Sequence, residues 1–285
     1  MPRLLLATEG GQVVTFDTDT KDHEVVFRCS ADEAMMGIEI VGDHLFVASL
    51  SQIYKLSLPS FEKVDETELY DPTPDFHQMQ YYDGKIYITA TKLNQIWIYD
   101  EKLNLERMHQ VVPPNPRRRP KYKKNYNHLN NIIRHEGKFY IGLNWLTKIQ
   151  FRCSGVLVTD GELNEIERFE FGWETHDFQF IDGKRVAICA TSSKGKRVKH
   201  PYRSGFFVED ELVFEHDADE AFCKGMCYDE KRIYLCGGRK MERKMRKFSS
   251  AMVFILDRND FSLIEKYENS EIKAIKGAII YPETS

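Results

Sequence analysis

Three histidines open similar short segments of the chain: His77-Gln78-Met79-Gln80-Tyr81, His128-Leu129-Asn130-Asn131-Ile132 and His176-Asp177-Phe178-Gln179-Phe180. Imidazoles converging from such recurrences can bind a divalent metal ion through neutral nitrogens, shuttle a proton, or attack a sulfuryl or phosphoryl group. His77, His128 and His176 are therefore the candidate catalytic set and the candidate metal ligands. Asn130, Asn131 and Asp177 share these segments, and Glu39 and Lys224 hold related positions in further copies. Asn144, Thr191, Ser192, Ser193 and Arg239 end the apolar segments that follow. Each histidine also admits a plainer role, a hydrogen bond between neighbouring structural units.

Positive charge gathers in the same parts of the chain. Segments 117–124, 194–203 and 239–247 hold six, five and six Lys or Arg, 17 of the 40 in all. Arg119, Arg197 and Arg239 are the candidate anion-binding residues from these segments. Clustered cations raise the local concentration of an anionic ligand and steer its approach.

A repeat positions these residues. The histidine segments belong to a strand pattern that occurs six times, with Met36-Gly37-Ile38-Glu39-Ile40, Lys224-Gly225-Met226-Cys227-Tyr228 and Lys276-Gly277-Ala278-Ile279-Ile280 as the other copies. After each of the first five come a polar turn, an apolar second strand such as Ile86-Tyr87-Ile88-Thr89, a third strand rich in β-branched and aromatic residues, and a polar fourth. Units of roughly 40 to 50 residues built only of short strands signal propeller blades. The sixth copy has an inner strand alone, whereas the N-terminus supplies three strands without one: Leu4-Leu5-Leu6-Ala7, Val13-Val14-Thr15-Phe16 and Val25-Val26-Phe27. Joining the two ends closes a ring and removes exposed sheet edges. The expectation is an all-β, six-bladed propeller with four strands per blade, residues 1–285 forming one domain. A five-bladed ring or two packed sheets are the alternatives.

In such a ring, the loops entering an inner strand and those joining second to third strands emerge at one end. All three basic segments are of these kinds, so one face should be positive, and the histidines that begin inner strands should lie at its channel mouth. Counted back from the second strand, His77 and His176 align, and Lys224 and Lys276 recur at their position. His128 lies two residues early unless its turn is longer; otherwise Asn130 takes the place.

Composition narrows the classes. No apolar run approaches the roughly 20 residues of a membrane span, and the N-terminal apolar stretch is too short for a signal peptide, which makes a cytoplasmic location the expectation. The six cysteines are scattered, as reduced thiols would be, and Cys223 and Cys227 lack zinc-site companions. There is no glycine-rich phosphate loop or dinucleotide fingerprint, so no nucleotide cofactor is expected. A formal net charge of -4 and basic loops without regularly interleaved aromatics argue against nucleic acid.

The strings His128-Leu129-Asn130-Asn131-Ile132 and His176-Asp177-Phe178-Gln179-Phe180-Ile181-Asp182-Gly183 resemble the His-x-Asn-x-Ile and His-Asp strand starts of arylsulfate sulfotransferases, a six-bladed propeller family. They are also similar to inner-strand starts of NHL-repeat and lactonase-like propellers. The first resemblance implies that His128 and His176 are funnel residues, that an inner-strand histidine takes the sulfuryl group, and that a nearby arginine stabilises its oxygens. Those enzymes are larger and exported, and no single residue here matches their nucleophile. The lactonase-like resemblance implies acidic and amide groups around a divalent cation, with Glu39, Asn130 or Asn131, and Asp177 in those parts. The accompanying His and Lys argue against a hard, oxygen-only calcium site.

Two functions stand from different classes. One is an enzyme transferring or hydrolysing an ester of an anionic small-molecule or glycan-type substrate, with histidines or a metal at the channel mouth and Lys/Arg as clamp. The other is a non-catalytic module whose basic face docks an acidic protein, glycan or nucleic acid.

Overall fold

The structure is a computed structural model and describes residues 2–29, 33–112, 127–146, 153–190 and 204–282. Six antiparallel sheets of four strands each form the blades of a ring. Their inner strands are Met35–Val41, Phe76–Tyr82, Leu129–His135, Thr175–Ile181, Ala221–Tyr228 and Ile275–Tyr281, and the blades are numbered one to six in that order. Blade six joins both ends of the chain. Its inner strand Ile275–Tyr281 pairs with Arg3–Thr8, from Arg3 opposite Tyr281 to Ala7 opposite Gly277, and Gln12–Asp17 and His23–Arg28 complete the sheet.

The second strands are covered on both faces, which is why they read as short continuous apolar runs. Outer strands such as Lys63–Glu66 and Glu165–Glu170 are mostly exposed and charged, a composition that discourages pairing with another chain. Six apolar clusters lie one between each pair of neighbouring blades, including the two that flank blade six. Burial between blades therefore holds the closing blade as it holds the rest.

Every inner strand gains one residue over its partner at the same height. Such bulges twist a strand and re-aim its side chains. Repeated in each blade, they turn Met36, His77, Asn130, His176, Lys224 and Lys276 toward one small recess at the channel mouth. One residue further along, neighbouring strands come closest. A Cβ on Gly37 would strike the His77 carbonyl oxygen, and one on Gly277 the Met36 carbonyl oxygen. At two of these positions a side chain bonds the next blade: Asn131 Nδ2 donates to Phe178 O at 2.7 Å, and Asp177 Oδ2 accepts from Met226 N–H at 2.5 Å. Deeper in the channel, Glu39 Oε1 accepts from Tyr81 N–H at 3.3 Å, and Gln80 Oε1 accepts from Arg134 N–H. Side-chain to backbone bonds thus stitch inner strands that share no ladder.

Candidate functional site

The ring at the channel mouth corrects the expected histidine triad. The turn after the third inner strand is Glu136-Gly137, no longer than its counterparts, so Asn130 takes the ring position beside His77 and His176. His128 precedes the strand, with a left-handed φ of 51°. Its ring nevertheless meets His77 edge-on, with centroids 5.1 Å apart. Among the described residues, no three His, Cys, Asp or Glu side chains are grouped as a metal ion would require.

His77 is buried and held at Nδ1, which lies 2.9 Å from Thr91 Oγ1 and 3.2 Å from the Asp75 carbonyl oxygen. Thr91 comes from the short 3-10 turn Thr91–Leu93 at the end of the second strand, and its hydroxyl donates to Leu129 O. With that hydrogen committed, the hydroxyl accepts from His77, and the Asp75 carbonyl can only accept. Both contacts place the imidazole proton on Nδ1 and leave Nε2 as the basic nitrogen.

Burial lowers the pKa of both ring histidines. At His77 the Asp75 carboxylate opposes this and Lys224 reinforces it. His176 falls well below the ordinary histidine value, mainly through burial and then through Lys224, His128, His77 and Arg246. Both imidazoles are neutral at pH 7. Lys276 is buried in the ring and paired with Glu9. Burial draws its ammonium down to about 8, while contact with the carboxylate works the other way, so it is charged at neutral pH. Lys276 Nζ and the Arg246 guanidinium lie 5.6 and 5.1 Å from the centroid of the Phe222 ring. Glu174 shares the field of Lys224, Lys240 and Arg246, although burial raises its pKa. Lys240 Nζ is buried and finds no hydrogen-bond partner among the described residues.

The remaining sequence candidates divide. Asn130 Nδ2 donates to Thr175 O in the next blade. Its Oδ1 is buried without a hydrogen-bond partner among the described residues, and Asn130 borders the recess. Asp177 is spent on bonds within the ring of blades, and Asn131 commits its Nδ2 to one, its Oδ1 being buried without a hydrogen-bond partner among the described residues. Asn144 is buried beside His128, its backbone N–H donating to His128 O at 3.2 Å. Arg239 is exposed and pairs at 3.3 Å with Glu268 on the outer strand Leu263–Lys273, away from the ring. Ser192, Arg197 and Arg119 lie outside the described residues, as do the first two basic segments. Thr91, Glu9, Glu174, Lys240 and Arg246 escaped the sequence reading of the site. The last two lie in a segment singled out for its charge alone, and no local pattern marks the other three.

No protein-family model matches the chain, and no curated protein matches it. Solved structures do. A propeller chain of the nidogen/laminin complex is 11% identical with a TM-score of 0.67, over 98% of each chain. The protein is a six-bladed β-propeller. A Bacteroides caccae protein of unknown function is equally similar in shape, at a TM-score of 0.67 and 10% identity over 98% of each chain. At such identities the likeness of this propeller to both extends to the fold. Among the described residues, no helix is long and apolar enough to cross a membrane.

Proposed function

We propose that the propeller binds an anionic small-molecule or glycan-type ester at the channel mouth and transfers or hydrolyses it. The observation that carries this reading is the fixed state of His77, a neutral imidazole whose Nδ1 proton is held by Thr91 and Asp75. Its Nε2 is free to take a proton from an attacking water or hydroxyl group. Lys224, Lys276 and Arg246 supply positive charge for the anionic group, and the imidazolium formed at His77 returns its proton to the leaving oxygen. His176 and Asn130 complete the polar ring.

Nitrophenyl phosphate and nitrophenyl sulfate test the reading. Turnover of at least one is expected, with a loss of about 10²- to 10⁴-fold in His77→Asn while the fold is kept. A second reading, the docking of an acidic partner, is favoured by the 17 basic residues in three segments. It gains if neither of these esters turns over while sulfated or phosphorylated ligands bind with steep salt dependence and without regard to His77.

A further inference from the structure

Below the ring the channel widens into a chamber of about 270 Å³. Gln78 borders both the mouth recess and this chamber, and its side chain favours the charged form of Asp177 two blades away. A side-chain bar thus lies between the two compartments. The chamber contrasts with the mouth in charge, since no Lys, Arg or His is among its described lining residues.

Its two carboxylates differ. Asp177 is committed, accepting from Met226 N–H at 2.5 Å and Gln179 Nε2 at 2.9 Å. Glu39 gives only Oε1, to Tyr81 N–H at 3.3 Å, and its Oε2 takes no hydrogen bond from any described residue. We propose that the chamber binds a small organic ammonium ion, with the Glu39 carboxylate as counter-ion and the alkyl chain against Met79, Ile133 and Ile279. A carboxylate in a confined space with no cation beside it is costly, and a bound ammonium offsets that cost. The upward pull of burial on Glu39, to about 7, reflects the same deficit. A hard divalent ion fits less well, because it takes roughly six to eight oxygen ligands and the wall is half apolar. An alkylammonium needs one carboxylate, the Gln179 carbonyl and an apolar side.

The site does not rest on the function proposed for the mouth. Titration calorimetry of the full chain with n-butylammonium chloride at pH 8, where Glu39 is ionised, tests it. Saturable one-site binding is expected, weakened at least about tenfold by Glu39→Gln, the equivalent of losing about 1.4 kcal/mol. The Tyr81 amide resonance should shift during the titration. His77→Asn and Lys224→Ala should leave the affinity unchanged, and butan-1-ol and calcium chloride should give no comparable isotherm. Absence of binding at millimolar concentration, equal affinity in Glu39→Gln, or a calcium isotherm in place of the butylammonium one would overturn the proposal. Glu39→Gln keeps an acceptor for Tyr81; should it fail to fold, Glu39→Ala takes its place, with the same tenfold criterion.

Discussion

His77 Nδ1 lies 2.9 Å from Thr91 Oγ1, and Thr91 commits its own hydrogen to Leu129 O, so the imidazole is the donor in the pair. Thr91 is thereby a positioning residue that acts through His77. Thr91→Val is expected to release the tautomer, seen as averaged ring-nitrogen shifts in ¹⁵N spectra, and to cost about 1 kcal/mol in urea unfolding through the lost hydrogen bonds. An unchanged Nδ1–H signature would show that the Asp75 carbonyl suffices.

The two ring histidines should resist protonation. In an unfolded chain they titrate near the ordinary histidine value, whereas in the fold both are shifted down, His176 furthest. Stability is then complete above the unfolded value and is lost as pH falls below it, because the unfolded chain takes up protons first. Melting curves between pH 7.5 and 5 should show this acid limb, and His176→Asn should flatten it.

Glu39 works in the opposite sense. Its carboxyl is raised from 4.5 to about 7 by burial, so the fold favours the protonated form. Its contribution is complete below pH 4.5 and is lost as pH rises through about 7. The shift corresponds to an upper limit of about 3 kcal/mol. Glu39→Gln should raise the melting temperature at pH 8 and change it little at pH 4.5; a uniform shift at both would deny the linkage.

Gly277→Ala should be among the most damaging small substitutions. The new methyl would press on the Met36 carbonyl oxygen of blade one, and neither backbone can withdraw without opening the seam beside the closing blade. Overpacking of this kind costs typically about 1–3 kcal/mol. Urea midpoints measured beside Gly161→Ala, whose added methyl meets nothing within 4 Å, separate the clash from the general effect of losing a glycine.

Arg239→Ala, by contrast, should leave both stability and anion binding nearly untouched. The pair with Glu268 is exposed, and such pairs are worth at most about 1 kcal/mol. Binding isotherms of the variant for inorganic phosphate check this directly.

Much of this was legible in the chain because a propeller writes its fold in repetition. The inner-strand pattern gave the blade count, and the unmatched strands at both ends gave the closure between Arg3–Thr8 and Ile275–Tyr281. Spacing to the second strand already offered Asn130 as the alternative to His128, and the length of the Glu136-Gly137 turn decides between them. The partners of the ring were hidden. Thr91 and Glu9 reach His77 and Lys276 from other strand ends, and contacts across a channel leave no periodic trace. Charge density was a poor guide to direction: Arg239, within a basic run, turns to an outer strand, while the less conspicuous Lys276 faces the recess.

The pairing of Arg3–Thr8 with Ile275–Tyr281 also fixes an order of events during synthesis. Strands Arg3–Thr8, Gln12–Asp17 and His23–Arg28 leave the ribosome with no inner partner and wait while the other five blades are translated. Until residue 281 has emerged, both they and blade five present an uncovered flank, a state open to wrong pairing. The contact that completes the circle is therefore the one most separated along the chain, a non-local pairing of the kind that costs the most loop-closure entropy to form.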